Sequence, residues 1–140
     1  MGSALKAGLI ELLGTNLSLS LTPQSALGAL KASYIACNLA ADSMEAAGAL
    51  LRLSPVLVAH VGLSYGSALC TQCAWTLSNL AILSPVAACT LVTQGAIPTL
   101  LEARPLPHPC TCVMFDCVLI VLPQGCLKLA AILQPSLVAD

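Results

Sequence analysis

The sequence predicts an all-helical solenoid, a stack of similar helical units, because one helical pattern occurs in it twice. Residues 70–83 (CTQCAWTLSNLAIL) have a counterpart 41 positions earlier, where Tyr34 corresponds to Trp75 and Asn38 to Asn79. A second match places PVLV at 55–58 and PTLL at 98–101, a spacing of 43. Helical repeats with a period in the low forties are typical of stacked solenoids.

Residues 70–83 carry two neighbouring stripes of side chains at helical spacing. Small and apolar residues at steps of three and four predict a buried face: Cys70, Cys73, Ala74, Leu77 and Ala81. A second stripe at the same spacing of three and four residues lies on the neighbouring face of the helix: Gln72, Trp75 and Asn79. An indole ring offers flat apolar area, and a carboxamide offers both a donor and an acceptor. Together on one helix face they suit an extended peptide, whose backbone the amide would pair with.

The segment CAWTLSNLA, followed about sixteen residues after its Asn by QGAIPTLLE, resembles consecutive helices of an armadillo repeat protein. The likeness is strongest to the importin-alpha group and covers roughly residues 7–104. It implies an armadillo-type right-handed helical solenoid fragment of about two and a half repeats with an irregular C-terminal tail. In that family the third helices line a concave groove that holds nuclear localisation signals.

The family's peptide-binding device is Trp-x-x-x-Asn on the third helix, and it carries over to few positions here. Trp75 and Asn79 match it, while Tyr34 and Asn38 match with a substituted ring. The resemblance implies that the rings pack on ligand side-chain stems and that the carboxamides, with Gln72 beside them, fix the ligand backbone. We therefore expect a protein-protein interaction module, a nuclear-import adaptor or a relative. An importin-beta-type carrier would be a partner only if regions beyond this chain exist.

The middle of the chain lacks the acidic residues that binding of a basic ligand needs. Lysine-rich peptides require acidic neighbours, yet no Asp or Glu lies between Arg52 and Glu102. Lys31 also stands at the position equivalent to Gln72. Two alternatives therefore stay open: a truncated product with an alternative terminus and no activity of its own, or a membrane-associated hydrophobic protein. Because Pro and Gly interrupt the long uncharged stretch, we expect no membrane association.

Composition excludes several functions. The chain is 58% hydrophobic but only 8% charged, against about 25% charged in an average soluble domain. Its net charge of -1 and the lack of a basic cluster argue against nucleic-acid binding. No catalytic triad, phosphate loop or carboxylate pair is recognisable, so we expect a non-enzyme without a cofactor. With no signal peptide and with cysteines in apolar helical patterns, the expected location is the cytoplasm or nucleus.

The Cys and His residues predict structural roles. The Cys-x-x-Cys at 70–73 lies on the buried stripe without a second such pair, so both thiols are expected in the core. His60 has no candidate acid or nucleophile near it in sequence, which indicates a satisfied or surface histidine. A looser set has spacing that fits no zinc motif, so no metal is expected; it comprises His108, Cys110, Cys112 and Cys117.

The first half of the chain divides into a helix tail and three helices. Residues 7–13 (AGLIELL) read as the end of a second helix, so the chain is expected to begin mid-repeat. Thr22-Pro23 is a helix start, because Thr caps and Pro suits the first turn, and that helix runs to about residue 41. Ser43 begins a short helix with Glu45 in its first turn, where the macrodipole favours an acid. Pro55 opens the next helix.

The second half of the chain contains the Trp75 helix and two further predicted helices. Residues 62–67 (GLSYGS) predict a turn from which Ser64 or Ser67 caps the Trp75 helix. Ser84-Pro85 and residues 95–98 begin two further helices, the last ending near residue 104.

Beyond residue 104 the repeat is lost. Three prolines at 105, 107 and 109 forbid a regular helix start. At the repeat spacing, Asp116 and Ile120 would replace Trp75 and Asn79. We therefore expect armadillo-like repeats over 1–104 and a divergent tail over 105–140.

Overall fold

The computed structural model describes residues 3–17, 23–63, 68–83 and 85–103, and these ranges are almost entirely helical with no strand. They form seven α-helices and one 3₁₀ turn at Leu51–Leu53. The helices are α1 (Ser3–Asn16), α2 (Pro23–Asp42), α3 (Met44–Leu50), α4 (Ser54–Leu63), α5 (Ala68–Leu83), α6 (Pro85–Thr93) and α7 (Ala96–Ala103). The all-helical fold that the sequence predicts is confirmed.

The packing of the helices follows the sequence repeat. Helices at equivalent places in successive units contact each other, α2 with α5 and α4 with α7. Within the middle unit, α3 and α4 both pack on α5, which also contacts α6 at the start of the next unit. Residues separated by one repeat along the chain therefore lie on helices that contact each other. The arrangement is compatible with an armadillo-type helical solenoid.

Helix starts follow the capping chemistry of the sequence. Ser43 is the N-cap of α3, with extended backbone angles, and its hydroxyl oxygen accepts from the Ala46 amide at 3.1 Å. Glu45 lies in the first turn of α3, as expected from the macrodipole. The predicted starts at Pro23 and Pro85 coincide with the first residues of α2 and α6.

One predicted turn begins too early. The sequence places a turn at 62–67, whereas α4 runs through Gly62 to Leu63. A Cβ at Gly62 would lie 3.5 Å from the Thr99 side chain of α7, so this glycine lies where two packed helices approach each other closely. The predicted caps Ser64 and Ser67 fall outside the described residues.

The core is built largely from small side chains and leucines. All five residues of the predicted buried stripe on α5 are buried, which confirms that part of the prediction: Cys70, Cys73, Ala74, Leu77 and Ala81. The facing side of α2 is buried through Ala29, Ala32, Ala36 and Ala40. Because alanines dominate that side, α2 and α5 can approach closely. The core also contains buried leucines, and complete burial of one Leu stabilises the fold by about 2 kcal/mol.

A buried histidine joins two units of the stack. His60 of α4 is 1% exposed, and its Nε2 lies 2.6 Å from the carbonyl oxygen of Leu17, just after α1. Leu17 is itself fully buried, so this carbonyl needs a partner within the protein. His60 is a satisfied core residue, one of the two roles that the sequence indicates.

Within the described ranges, the stretch Met44–Gly62 is long and apolar enough to cross a membrane by length and composition, and less than half of it is buried. It comprises α3, the 3₁₀ turn and most of α4, and it includes Glu45 and Arg52. Core helices of soluble proteins share these properties, and both α3 and α4 pack on α5. The predicted tail at 105–140, with its candidate metal ligands, lies outside the described residues.

Candidate functional site

Helices α2 and α5 each expose one stripe of side chains beside their contact. On α5, Trp75 is 49% exposed, and Gln72 and Asn79 are half-buried. On α2, Tyr34 is 47% exposed and Asn38 is exposed. We call these five side chains the aromatic-amide face. An indole half exposed to water keeps apolar area available for a partner.

A hydrogen bond between the two helices sets their alignment. The Asn79 Nδ2 group donates to the carbonyl oxygen of Cys37 at 3.2 Å, and it lies 3.5 Å from the Cys37 Sγ. Because Cys37 immediately precedes Asn38, this contact brings the carboxamide of α5 to the level of the carboxamide of α2. The two exposed stripes therefore lie on adjacent helices in matching order.

The same bond decides which hydrogen-bonding group of Asn79 faces outward. A carboxamide has two N–H donors and one carbonyl acceptor, and here the donor end points at Cys37. Among the described residues no hydrogen bond to Asn79 Oδ1 occurs, so that oxygen can accept an N–H from a ligand. The bond joins residues 42 positions apart in the chain, so it is a tertiary contact between α2 and α5.

Three buried thiols lie on α2 and α5, and burial raises the pKa of two of them, Cys37 and Cys73. Desolvation by burial, with smaller contributions from the nearby Cys70 and Cys37, raises the pKa of Cys73 to about 12. Desolvation also raises the pKa of Cys37, against a smaller lowering by the hydrogen bond with Thr76. Neutral, buried thiols are poor nucleophiles and metal ligands. Within the described ranges no group of three His, Cys, Asp or Glu side chains could hold a metal ion.

Exposed apolar side chains extend the aromatic-amide face, and sequence reasoning did not select them. Ile35 is 45% exposed beside Tyr34, and Leu27 is 58% exposed two turns earlier on α2. Ile82, near the end of α5, is 62% exposed. Helical spacing could have identified those on α2, since residues 27, 31, 34 and 38 recur at steps of three and four and are exposed, as is residue 35.

Of the two helices that form the face, only α2 carries charged residues in its described part. Lys31 is exposed one turn before Tyr34, and Asp42 is exposed at the end of the helix. The segment 68–83 that forms α5 contains no charged residue. The face is therefore mainly apolar and amide, with a single cation near its rings.

Fold and site together define a helical-repeat protein with an exposed aromatic and carboxamide surface on two equivalent helices. Comparison with known proteins agrees with that class. The chain is 37% identical over 98 residues to importin subunit alpha-9 of Arabidopsis thaliana. The match covers 70% of this chain but only 18% of that protein, and no family model matches the chain. The similarity supports armadillo-like repeats in this protein.

Proposed function

We propose that this chain is a protein-interaction module that holds an extended peptide against the aromatic-amide face. Trp75 and Tyr34 pack on side-chain stems of the peptide, and Asn79 and Asn38 bond its backbone. The observation that supports this most directly is the hydrogen bond from Asn79 to the Cys37 carbonyl. It holds an amide oxygen beside a half-exposed tryptophan, which is the combination that an extended backbone needs.

The finer proposal is a nuclear-import adaptor that reads nuclear localisation signals. Two observations support it: the similarity to an importin alpha subunit and the Trp-x-x-x-Asn pattern on α5. Such an adaptor works in the cytoplasm and nucleus, binds and does not catalyse, and requires no cofactor. The chain spans 18% of that relative, and an importin-beta-type carrier would be a partner only if regions beyond this chain exist.

The experiment uses Trp75, which is the only tryptophan of the chain. Unstructured peptides of different charge, including a lysine-rich nuclear localisation peptide, are titrated into the folded chain while Trp75 fluorescence is followed. We expect a saturable change with at least one peptide, and a weaker response in Asn79→Ala. Saturation by the lysine-rich peptide would favour the import adaptor.

Asn16→Ala is the matched control, because it removes an exposed carboxamide that lies on α1 and donates to the Leu12 carbonyl of the same helix. Circular dichroism establishes that each variant is folded. If no peptide gives a saturable change in the folded protein, or if Asn16→Ala weakens binding as much as Asn79→Ala, the proposed peptide surface is wrong. The chain would then be a scaffold or a product without binding activity of its own.

A further inference from the structure

The charge nearest to Tyr34 along α2 is positive. Lys31 precedes Tyr34 by three residues on the exposed stripe of α2, about 4.5 Å along the helix axis. Asp42 follows Tyr34 by eight residues, about 12 Å along the axis, which exceeds the Debye length of about 10 Å at 0.1 M salt. At the level of the rings, the attraction of Lys31 for an anion outweighs the opposing effect of Asp42.

No carboxylate of the neighbouring helix offsets that cation. The segment that forms α5 has no charged side chain, and Lys31 makes no ion pair with the residues that the structure describes. The remaining described acids lie on other helices: Glu11 on α1, Glu45 on α3 and Glu102 on α7. Of these helices α1 and α3 pack on α2, but none of the three acids forms an ion pair with Lys31. A lysine side chain laid across the rings would therefore meet Lys31 with no carboxylate of α5 beside it.

The rest of the surface around the rings is apolar. Ile35 lies next to Tyr34 in the sequence, and Trp75 and Ile82 are exposed along α5. Apolar side chains of a ligand bound there would be removed from water, and each Å² of apolar surface buried would contribute about 25 cal/mol of favourable binding free energy. The cation and the apolar area together favour a peptide that carries both acidic and apolar side chains.

We propose that the ligand of the aromatic-amide face is an extended peptide with apolar side chains along Trp75 and Ile35 and an acidic side chain beside Lys31. This inference rests on the proposed peptide binding and specifies the class of ligand as acidic, so it is an alternative to the lysine-rich signal of the import-adaptor proposal. Lys31 acts as the residue that selects for an acidic over a basic side chain, because like charges at close range oppose binding.

Three synthetic peptides test the inference. They share one extended Leu/Ser scaffold and carry Glu, Gln or Lys at the same central positions, and each is titrated against Trp75 fluorescence at low salt. We expect the Glu peptide to bind about two- to fivefold more tightly than the Lys peptide, the range for one exposed ion pair. Raising the salt concentration should reduce the difference.

Two variants assign the effect to Lys31. Lys31→Gln places at this position the residue found at its repeat equivalent, Gln72, and should make the Glu and Lys peptides bind equally. Asp42→Asn is the matched control, and it should leave the preference for the Glu peptide in place. Both side chains are exposed, so both variants should fold.

The outcomes separate the inference from the proposed function. Binding of all three peptides with equal affinity, or tighter binding of the Lys peptide, would overturn the inference and leave peptide binding supported. A Glu preference that survives in Lys31→Gln would also overturn it. If none of the three peptides nor the lysine-rich signal peptide binds the folded protein, the proposed function fails, and the inference with it.

Discussion

At the scale of single residues, Cys73 shows how burial decides the chemistry of a side chain. Its sequence context, Cys-x-x-Cys, is shared with redox and metal sites. In the fold Cys73 is fully buried, as is Cys70, whose Sγ donates to the Val61 carbonyl of α4 at 3.3 Å. Desolvation there stabilises the neutral thiol, so the pair contributes to packing and not to reactivity.

The raised pKa of Cys73 predicts a loss of stability at high pH. The folded protein holds the thiol proton to about pH 12, while the unfolded chain releases it near the ordinary value of 9.0. Above pH 9 the unfolded state therefore binds fewer protons, and the free energy of unfolding should fall by up to about 1.4 kcal/mol per pH unit from this group. Urea unfolding at a series of pH values measures the slope.

Cys73→Ala should reduce the slope between pH 9 and 12, while Cys37, whose pKa is also raised, keeps part of it; the cost of the cavity is independent of pH. Cys89→Ala is the control, because its half-buried side chain lies on α6; this variant should keep the slope of the unmodified chain. Equal slopes for Cys73→Ala and the unmodified chain would show that Cys73 is ionised in the folded protein.

At the scale of elements, the junction of α6 and α7 depends on one glycine. Gly95 has φ of 79° and donates its amide to the Val92 carbonyl at 3.1 Å, which ends α6. Its own carbonyl accepts from the Thr99 amide at 3.3 Å, within the first turns of α7. A left-handed residue here lets one helix stop and the next begin almost at once.

Substitution of two glycines should have opposite effects on stability. Gly95→Ala should destabilise the protein by about 1 kcal/mol, since an L-residue is strained at this φ although its Cβ would meet no neighbour within 4 Å. Gly48→Ala should stabilise it by up to about 1 kcal/mol, because Gly48 is in the exposed interior of α3 with equally open space. Urea midpoints compare the two variants. The same sign for both would mean that the left-handed turn is not maintained in solution.

At the scale of the whole molecule, α5 is the central helix of the described chain. It contacts α2, α3, α4 and α6, whereas α6 contacts mainly α5 and α7. In a solenoid each unit is stabilised by its neighbours, so an end unit can open without the rest. The effect of a core substitution should therefore depend on the helix that carries it.

Two fully buried leucines test this dependence. Leu77→Ala on α5 should cost about 3 kcal/mol and make the helix signal and Trp75 fluorescence change together in urea. Leu91→Ala on α6 removes the same volume from the end unit, so part of the helix signal should disappear before the fluorescence changes. Coincident transitions in Leu91→Ala would indicate that the described chain unfolds as one cooperative unit.

Much of this architecture was predictable because helical periodicity is a local property. The five small and apolar residues of the α5 stripe were identifiable as core from their steps of three and four, and all five are buried. The helix starts at Pro23 and Pro85 also followed from local capping and proline chemistry. The end of α4 did not, since Gly62 remains helical against α7, a neighbour almost 40 residues away.

The sequence alone determined the helices, their repeat and the residues that each one can expose, since these depend on spacing within about two turns. Only the tertiary structure decided how the polar groups are used. The donors of Asn79 point to Cys37, 42 positions away, and His60 bonds Leu17 across 43. Such bonds exist only when equivalent helices stack, because a buried carbonyl takes whichever donor the packing brings to it. The orientation of the Asn79 amide at the proposed peptide surface is thus a product of the stack.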